Sequence, residues 1–67
     1  MPRIPINAAR VAAGLTQEQL ADEMGVSRST VAEWESGDRV MRVPYVKLFC
    51  LITGFTADDL ILPENNT

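Results

Sequence analysis

The four glycines constrain this chain more than any other feature, because each one follows a short stretch of apolar residues at helical spacing. A glycine just past such a stretch is typical of a helix C-terminus, where the backbone adopts a positive φ. Two prolines, Pro5 and Pro44, suit first helical positions, because the missing N–H costs nothing there. The spacing predicts short helices separated by turns at Gly14, Gly25, Gly37 and Gly54.

Capping patterns complete this prediction. The strings TQEQ at 16–19 and TADD at 56–59 resemble capping boxes, and Ser27 suits an N-cap position. No stretch alternates with period two for long enough to predict a strand. We therefore expect an all-α fold in a single domain over 1–67, with a frayed tail at 63–67. Five short helices are predicted, at about 5–13, 17–24, 28–36, 44–53 and 57–62.

Composition argues against several classes of function. The chain has no histidine, and its one cysteine, Cys50, lies in the apolar string KLFCLITG. We therefore expect no enzyme activity, no metal site and no cofactor. No apolar run approaches the roughly 18 residues that span a membrane, and the N-terminal segment lacks the uninterrupted apolar region of a signal peptide. These patterns predict a cytoplasmic or nucleoid-associated protein with no membrane partner.

The net charge of −3, from six basic and nine acidic residues, argues by itself against a polyanionic partner. The distribution of charge along the chain is less unfavourable to such a partner. Residues 1–17 carry Arg3 and Arg10 with no acid, whereas residues 48–67 carry acids with no base. One end is positive and the other negative, so the total charge conceals a dipolar molecule.

The second and third helices are predicted to pack across a sharp turn. Ala21 is small enough to let the two helices approach, Gly25 permits the turn, and Val26 fills the elbow from inside. This arrangement holds two helices at a steep angle. The apolar positions that face inward lie three or four residues apart: Leu20, Met24, Val31 and Trp34.

Residues 15–37, LTQEQLADEMGVSRSTVAEWESG, resemble the helix-turn-helix of the phage repressor and Cro family. The family's habitual strings GLTQ, LA, GVS and WE-x-G all occur in register. The likeness extends from about Arg10 to Leu62, where TGFTADDLI is similar to the family's final turn and short fifth helix. The resemblance implies a lambda-repressor-like DNA-binding domain with a central helix-turn-helix at about 17–36, and double-stranded DNA as its partner.

With Val31 and Trp34 inward, helical spacing leaves a small, polar stripe on the opposite face of the third helix. The resemblance implies that this face enters the major groove and reads base edges. Arg28 suits a guanine, Glu33 a cytosine amino group, and Ser29 either strand. The alternative is a solvated helix face whose charges contact only water. The stripe consists of Arg28, Ser29, Ala32, Glu33 and Ser36.

The resemblance also implies phosphate contacts. The start of the second helix presents free N–H groups to a phosphate, and in this family the loop after the recognition helix lies along the DNA backbone. A solvated surface loop is the alternative. The residues assigned to phosphate are Thr16, Gln17, Ser27, Ser36, Arg39 and Arg42.

We expect Arg10 and Glu35 to have a structural role. Glu35 follows Val31 by four positions and adjoins Trp34, so it lies at the edge of the buried face. Related repressors pair the matching positions, so the resemblance implies an ion pair between Arg10 and Glu35.

The fourth helix is apolar on nearly every side, and one of its faces closes the core. Cys50 is expected to be a small core residue. The apolar residues near the C-terminus either cap the core or form a dimer patch. We expect a weak homodimer on a two-fold operator, held together either by this patch or by binding to the same DNA. These residues are Phe55, Leu60, Ile61 and Leu62.

The sequence thus predicts a Cro-like phage or prophage repressor that occupies promoter DNA. The rival prediction is a protein-binding module of the same fold, antirepressor-like or antitoxin-like, that binds another regulator through its acidic surface. The net charge favours this rival. The polar stripe and the loop arginines, Arg39 and Arg42, oppose it.

Overall fold

The computed structural model describes residues 3–62, which form a mostly helical small domain. Four α-helices follow one another as α1 (Ile6–Ala12), α2 (Gln17–Met24), α3 (Arg28–Ser36) and α4 (Val43–Thr53). A single 3-10 turn spans Ala57–Asp59. Two short strands, β1 (Ile4–Pro5) and β2 (Leu60–Ile61), pair in parallel at the two ends of the described segment.

The core lies where all four helices and β2 meet. Phe49 of α4, Val31 of α3 and Leu20 of α2 are each fully buried. Leu60 of β2 joins them with 2% of its surface exposed. The remaining buried apolar residues of segment 3–62 belong to the same core: Ile6, Ala9, Ala21, Met24, Trp34 and Met41.

The turn between α2 and α3 is set by Gly25, whose φ of 71° lies in the left-handed region. The N–H of Val26 donates to the Ala21 carbonyl at 3.0 Å, and the N–H of Gly25 donates to that of Asp22 at 3.3 Å. These two bonds form a Schellman motif, which ends α2 and redirects the chain. Val26 packs against the core, so the elbow is filled from inside.

The predicted bounds of the second and third helices, 17–24 and 28–36, agree with the structure. The helix α1 is one residue shorter than predicted at each end, and α4 begins one residue earlier than predicted. Pro5 precedes α1 as its N-cap residue, with φ −69° and ψ 161°, and Ala13 ends it. Pro44 occupies the second position of α4, because the helix begins at Val43.

The fifth helix predicted at 57–62 is wrong. Thr56 and Asp59 do form a capping box, and hydrogen bonds from the Thr56 N–H and hydroxyl lower the pKa of the Asp59 carboxyl. The chain leaves the 3-10 turn at once, however, with Leu60 extended at φ −111° and ψ 143°. Leu60 pairs with Ile4, and the extended backbone lets its side chain reach the core. Pro63 follows closely in the sequence and disfavours a helix at the residue before it.

An ion pair ties α1 to α3. Arg10 Nε lies 2.6 Å from Glu35 Oε2, and only 14% and 9% of these side chains are exposed. Arg10 Nη1 also donates to the Leu15 carbonyl at 2.7 Å, which braces the loop between α1 and α2. Gln17 Nε2 donates to Glu35 Oε1 at 2.9 Å. Glu35 thus connects α3 to α1 and to the first residue of α2.

We expect Leu60→Ala to lower the free energy of unfolding by about 2–5 kcal/mol, because it leaves a cavity beneath β2. Ile61→Ala is the matched control, since Ile61 is the next residue and is 52% exposed. It should cost less than about 1 kcal/mol. Urea denaturation of both variants measures the difference, and equal losses would contradict the burial of Leu60 beneath β2.

The Arg10–Glu35 pair is tested by a double-mutant cycle with Arg10→Met and Glu35→Leu. Each single variant should lose about 3 kcal/mol, because the remaining charge is left largely buried, and the double variant should lose less than the sum. Additive losses would show that the pair contributes no coupling. Glu33→Gln serves as the control, because the exposed pair it disrupts should contribute less than about 1 kcal/mol.

Candidate nucleic-acid interface

One side of α3 is buried in the core, and side chains on its outer face are exposed to solvent. Val31 and Trp34 are 0% and 3% exposed, respectively. Arg28 and Ser29, in the first turn of the helix, are both exposed, and Ala32 is half-buried. Among residues 3–62, Arg28 has no ion-pair partner, so its guanidinium donors face solvent.

Ser27 begins α3 as its N-cap residue. Its Oγ accepts the Thr30 N–H at 3.2 Å and lies 3.0 Å from the Thr30 hydroxyl. This cap satisfies one of the unpaired N–H groups at the helix start and fixes the direction in which Arg28 and Ser29 emerge. Ser27 is itself exposed, although its hydroxyl is engaged with a protein partner.

The start of α2 combines a cap with free donors. Thr16 Oγ1 accepts the Gln19 N–H at 3.0 Å, and the Gln19 side chain accepts the Thr16 N–H at 2.9 Å. Among residues 3–62, no partner accepts the backbone N–H groups of Gln17 and Glu18. These groups and the helix dipole offer a site for an anion. The half-buried Gln17 side chain is held by Glu35, which fixes its position beside them.

The loop after α3 folds back onto that helix. Arg39 Nε lies 2.7 Å from Glu33 Oε1, so the structure joins two residues to which the sequence assigned separate roles. Ser36 Oγ donates to the Glu33 carbonyl at 3.2 Å and to Asp38 Oδ2 at 3.0 Å. The hydroxyl of Ser36 is thus engaged within the protein.

The two loop arginines lie on one side of the domain. Arg39 and Arg42 both line an open depression of about 340 Å³ between α3, the loop and the start of α4. Tyr45 forms part of its wall, with its ring centroid 5.3 Å from that of Trp34. Sequence reasoning missed Tyr45. An aromatic residue in the first turn of α4 was the available signal, but its contact with Trp34 depends on the path of the loop.

Four of the five exposed acids among residues 3–62 lie outside α3 and its loop, and the fifth, Asp38, lies in that loop beside Arg39. Glu18, Asp22 and Glu23 are all exposed on α2, and Asp58 is exposed near the C-terminal turn. The cations at the outer face of α3 and in its loop, Arg28, Arg39 and Arg42, are exposed as well. Three exposed cations therefore lie on or beside the polar stripe, where they can contact a polyanion, and the acids Glu33 and Asp38 share this surface.

Cys50 is partly buried at the edge of the core, rather than fully inside it. Burial raises the pKa of its thiol, and the nearby Asp59 carboxylate raises it further. The thiol therefore stays protonated near neutral pH and is a poor nucleophile.

In the described part of the chain, no helix has the length and apolar character to cross a membrane.

Comparison with known proteins identifies the family of this arrangement. The helix-turn-helix family model matches residues 6–60. The chain is 36% identical over 55 residues to the HTH-type transcriptional activator BcrR of Enterococcus faecalis. The match covers 82% of this chain but only 27% of that relative, so the chain corresponds to a fraction of the relative's length. No solved structure gives a significant match.

The capped helices α2 and α3, the left-handed glycine between them and the open outer face of α3 are the parts of a helix-turn-helix. The family match spans all of them. The chain belongs to the helix-turn-helix family of the Cro and phage-repressor type.

Proposed function

We propose that this protein binds a specific double-stranded DNA operator by placing α3 in the major groove. The observation that carries the proposal is the exposure of Arg28 and Ser29 in the first turn of α3, a helix whose Val31 and Trp34 are buried. Helix-turn-helix domains read base edges with the N-terminal residues of the second helix, which is where these two side chains emerge.

The side chains of this face suit direct readout. Arg28 can donate two hydrogen bonds to the O6 and N7 of a guanine, and Ser29 can donate to or accept from several bases. Ala32 is small, so it allows the helix to approach the base edges or to contact a thymine methyl group. Glu33 shares the face, where a carboxylate can accept from a cytosine amino group or hold a cation against the duplex.

Phosphate contacts on both sides of α3 would fix its register in the groove. On one side, the free N–H groups at the start of α2, with Thr16 and Gln17, suit one phosphate. On the other side, Arg39 and Arg42 can contact phosphates of the DNA backbone along which the loop would lie. Ser27 and Ser36 are proposed as secondary contacts, since each shares its hydroxyl with a protein partner.

We also propose that two copies bind together on a two-fold operator. Leu51 is 83% exposed and borders an apolar groove of about 540 Å³ between α4 and residues 55–57. Phe55 and Cys50 line the same groove. Leu60 is not part of this surface because it is buried in the core. A surface this small favours a weak homodimer that forms mainly on DNA.

The proposed mode of regulation is repression, by occupancy of promoter DNA in the cell. The relative BcrR is named an activator, and the region of it that this chain matches is a minority of its length. A promoter reporter that carries a site selected by the protein from random duplexes tests whether the regulation is repression or activation. Lower expression in the presence of the protein supports repression of a phage or prophage promoter, whereas higher expression would assign the activator mode.

Selection from random duplexes at low salt should enrich a single consensus sequence. Arg28→Ala should then relax the preference at one base pair, at a cost of about 1–3 kcal/mol. Arg42→Ala is the matched control, because it also removes one exposed arginine. It should weaken binding to all sequences and reduce the salt slope by about 0.9 for each phosphate that the variant no longer neutralises.

Failure to enrich any sequence would contradict the proposed function. If the protein also co-purified with another regulator in a way that depended on Glu18, Asp22 and Glu23, the protein-binding alternative would replace it. These three acids form the exposed face of α2.

Leu51→Ser tests the proposed dimer. We expect it to weaken binding to a duplex with two half-sites while leaving binding to a single half-site unchanged, because it alters only the contact between copies. Val11→Ser is the control, since Val11 is also a largely exposed aliphatic residue, on α1 and outside the groove. Fluorescence anisotropy with both duplexes measures the difference. Equal effects of the two variants would contradict a dimer through this groove.

A further inference from the structure

Glu33 lies on the face of α3 proposed to meet DNA, but its carboxylate is already paired with a cation of the same chain. Arg39 Nε lies 2.7 Å from Glu33 Oε1, and the two side chains are 55% and 42% exposed. The main chain reinforces this contact. The Glu33 carbonyl accepts the N–H groups of Gly37, Asp38 and Arg39 at 3.1, 3.0 and 3.2 Å. Arg39 is therefore fixed to the last turn of α3 through both its backbone and its side chain.

The geometry of the pair leaves most of the guanidinium available. Arg39 contacts Glu33 through Nε alone, and its two terminal nitrogens make no hydrogen bond within residues 3–62. A guanidinium has five N–H donors in a rigid fork, so four remain. With Nε anchored, the outer edge formed by Nη1 and Nη2 can donate to two adjacent acceptor atoms.

Electrostatics favour retention of the pair on DNA. A carboxylate without a cation would be repelled by the phosphates that flank the groove, and this repulsion strengthens where water is displaced. With Arg39 in place, the two side chains together carry no net charge at neutral pH. Separating them on binding would leave Glu33 uncompensated beside a polyanion.

We propose that Glu33 is a positioning residue for Arg39, and that the pair stays intact when α3 binds DNA. The terminal nitrogens of Arg39 donate to paired acceptors of the duplex, which are either phosphate oxygens or the O6 and N7 of a guanine. Glu33 orients this fork and does not read a cytosine. The inference rests on the proposed function, because it specifies how that interface contacts the duplex.

The test compares wild type, Glu33→Gln, Arg39→Ala and the double variant in binding to a selected duplex, measured by fluorescence anisotropy. Arg39→Ala should weaken binding by about tenfold for each half-site, because it removes a contact and exposes the Glu33 charge. Glu33→Gln alone should change affinity by less than about twofold, since poorer orientation of Arg39 offsets the weaker repulsion. In the Arg39→Ala background, however, Glu33→Gln should recover about fivefold.

The sign of the coupling between Glu33 and Arg39 in DNA affinity decides between the proposal and its failure. If Glu33→Gln improved binding more with Arg39 present than with Arg39 absent, the pair would have to break on binding and the proposal would fail. A pronounced change in base preference for Glu33→Gln in both backgrounds would also overturn it, because Glu33 would then read a base itself. Circular dichroism confirms folding, which these exposed substitutions should preserve.

Two further measurements identify the acceptor. If Arg39 contacts phosphate, Arg39→Ala lowers the salt slope by about 0.9 for each half-site and leaves the consensus unchanged. If it contacts guanine, the same variant relaxes one position of the consensus. Arg39→Lys should fail to restore full affinity in either case, because an ammonium group lacks the fork. Wild-type protein that binds no duplex would contradict the proposed function, whereas a reversed coupling contradicts only this inference.

Discussion

The burial of Val31 and Trp34 fixes the orientation of α3, and the rest of the interface depends on it. These two side chains lie three positions apart on the helix, so burying both leaves the helix little freedom to rotate about its axis. The Schellman turn at Gly25 sets where α3 begins, and the Ser27 cap sets its first turn. Arg28 and Ser29 face solvent as a consequence of this packing.

Local signals explain which parts of the fold could be predicted from the sequence. The bounds of α2 and α3 depend on caps and a glycine within a few residues of each end, and these are legible in a single sequence. The C-terminal segment could not be predicted in this way. Its capping box is real, but the backbone of Leu60 is set by pairing with Ile4 at the other end of the chain. Local propensity carries no information about that partner.

In the candidate site, too, the sequence predicted what depends on local pattern and missed some contacts between distant residues. Helical periodicity was enough to predict which side chains share the outer face of α3, because it follows from which residues are apolar. It could not show that Arg39 returns to Glu33 or that Gln17 is held by Glu35. Both contacts depend on the path of loops and on the relative placement of helices, which helical periodicity does not show.

These pairings leave the net charge at −3, but they change which charges stand alone near the proposed groove contact. Glu35 is neutralised by Arg10 in a largely buried pair, and Glu33 is neutralised by Arg39, so neither acid presents an isolated charge near the proposed groove contact. The pairing with Glu35 also leaves Arg10 unavailable for a contact with phosphate. Few free cations remain beside α3, and the exposed acids of α2 oppose long-range attraction. Nonspecific affinity should therefore be weak, and binding would depend mainly on direct contacts to base edges.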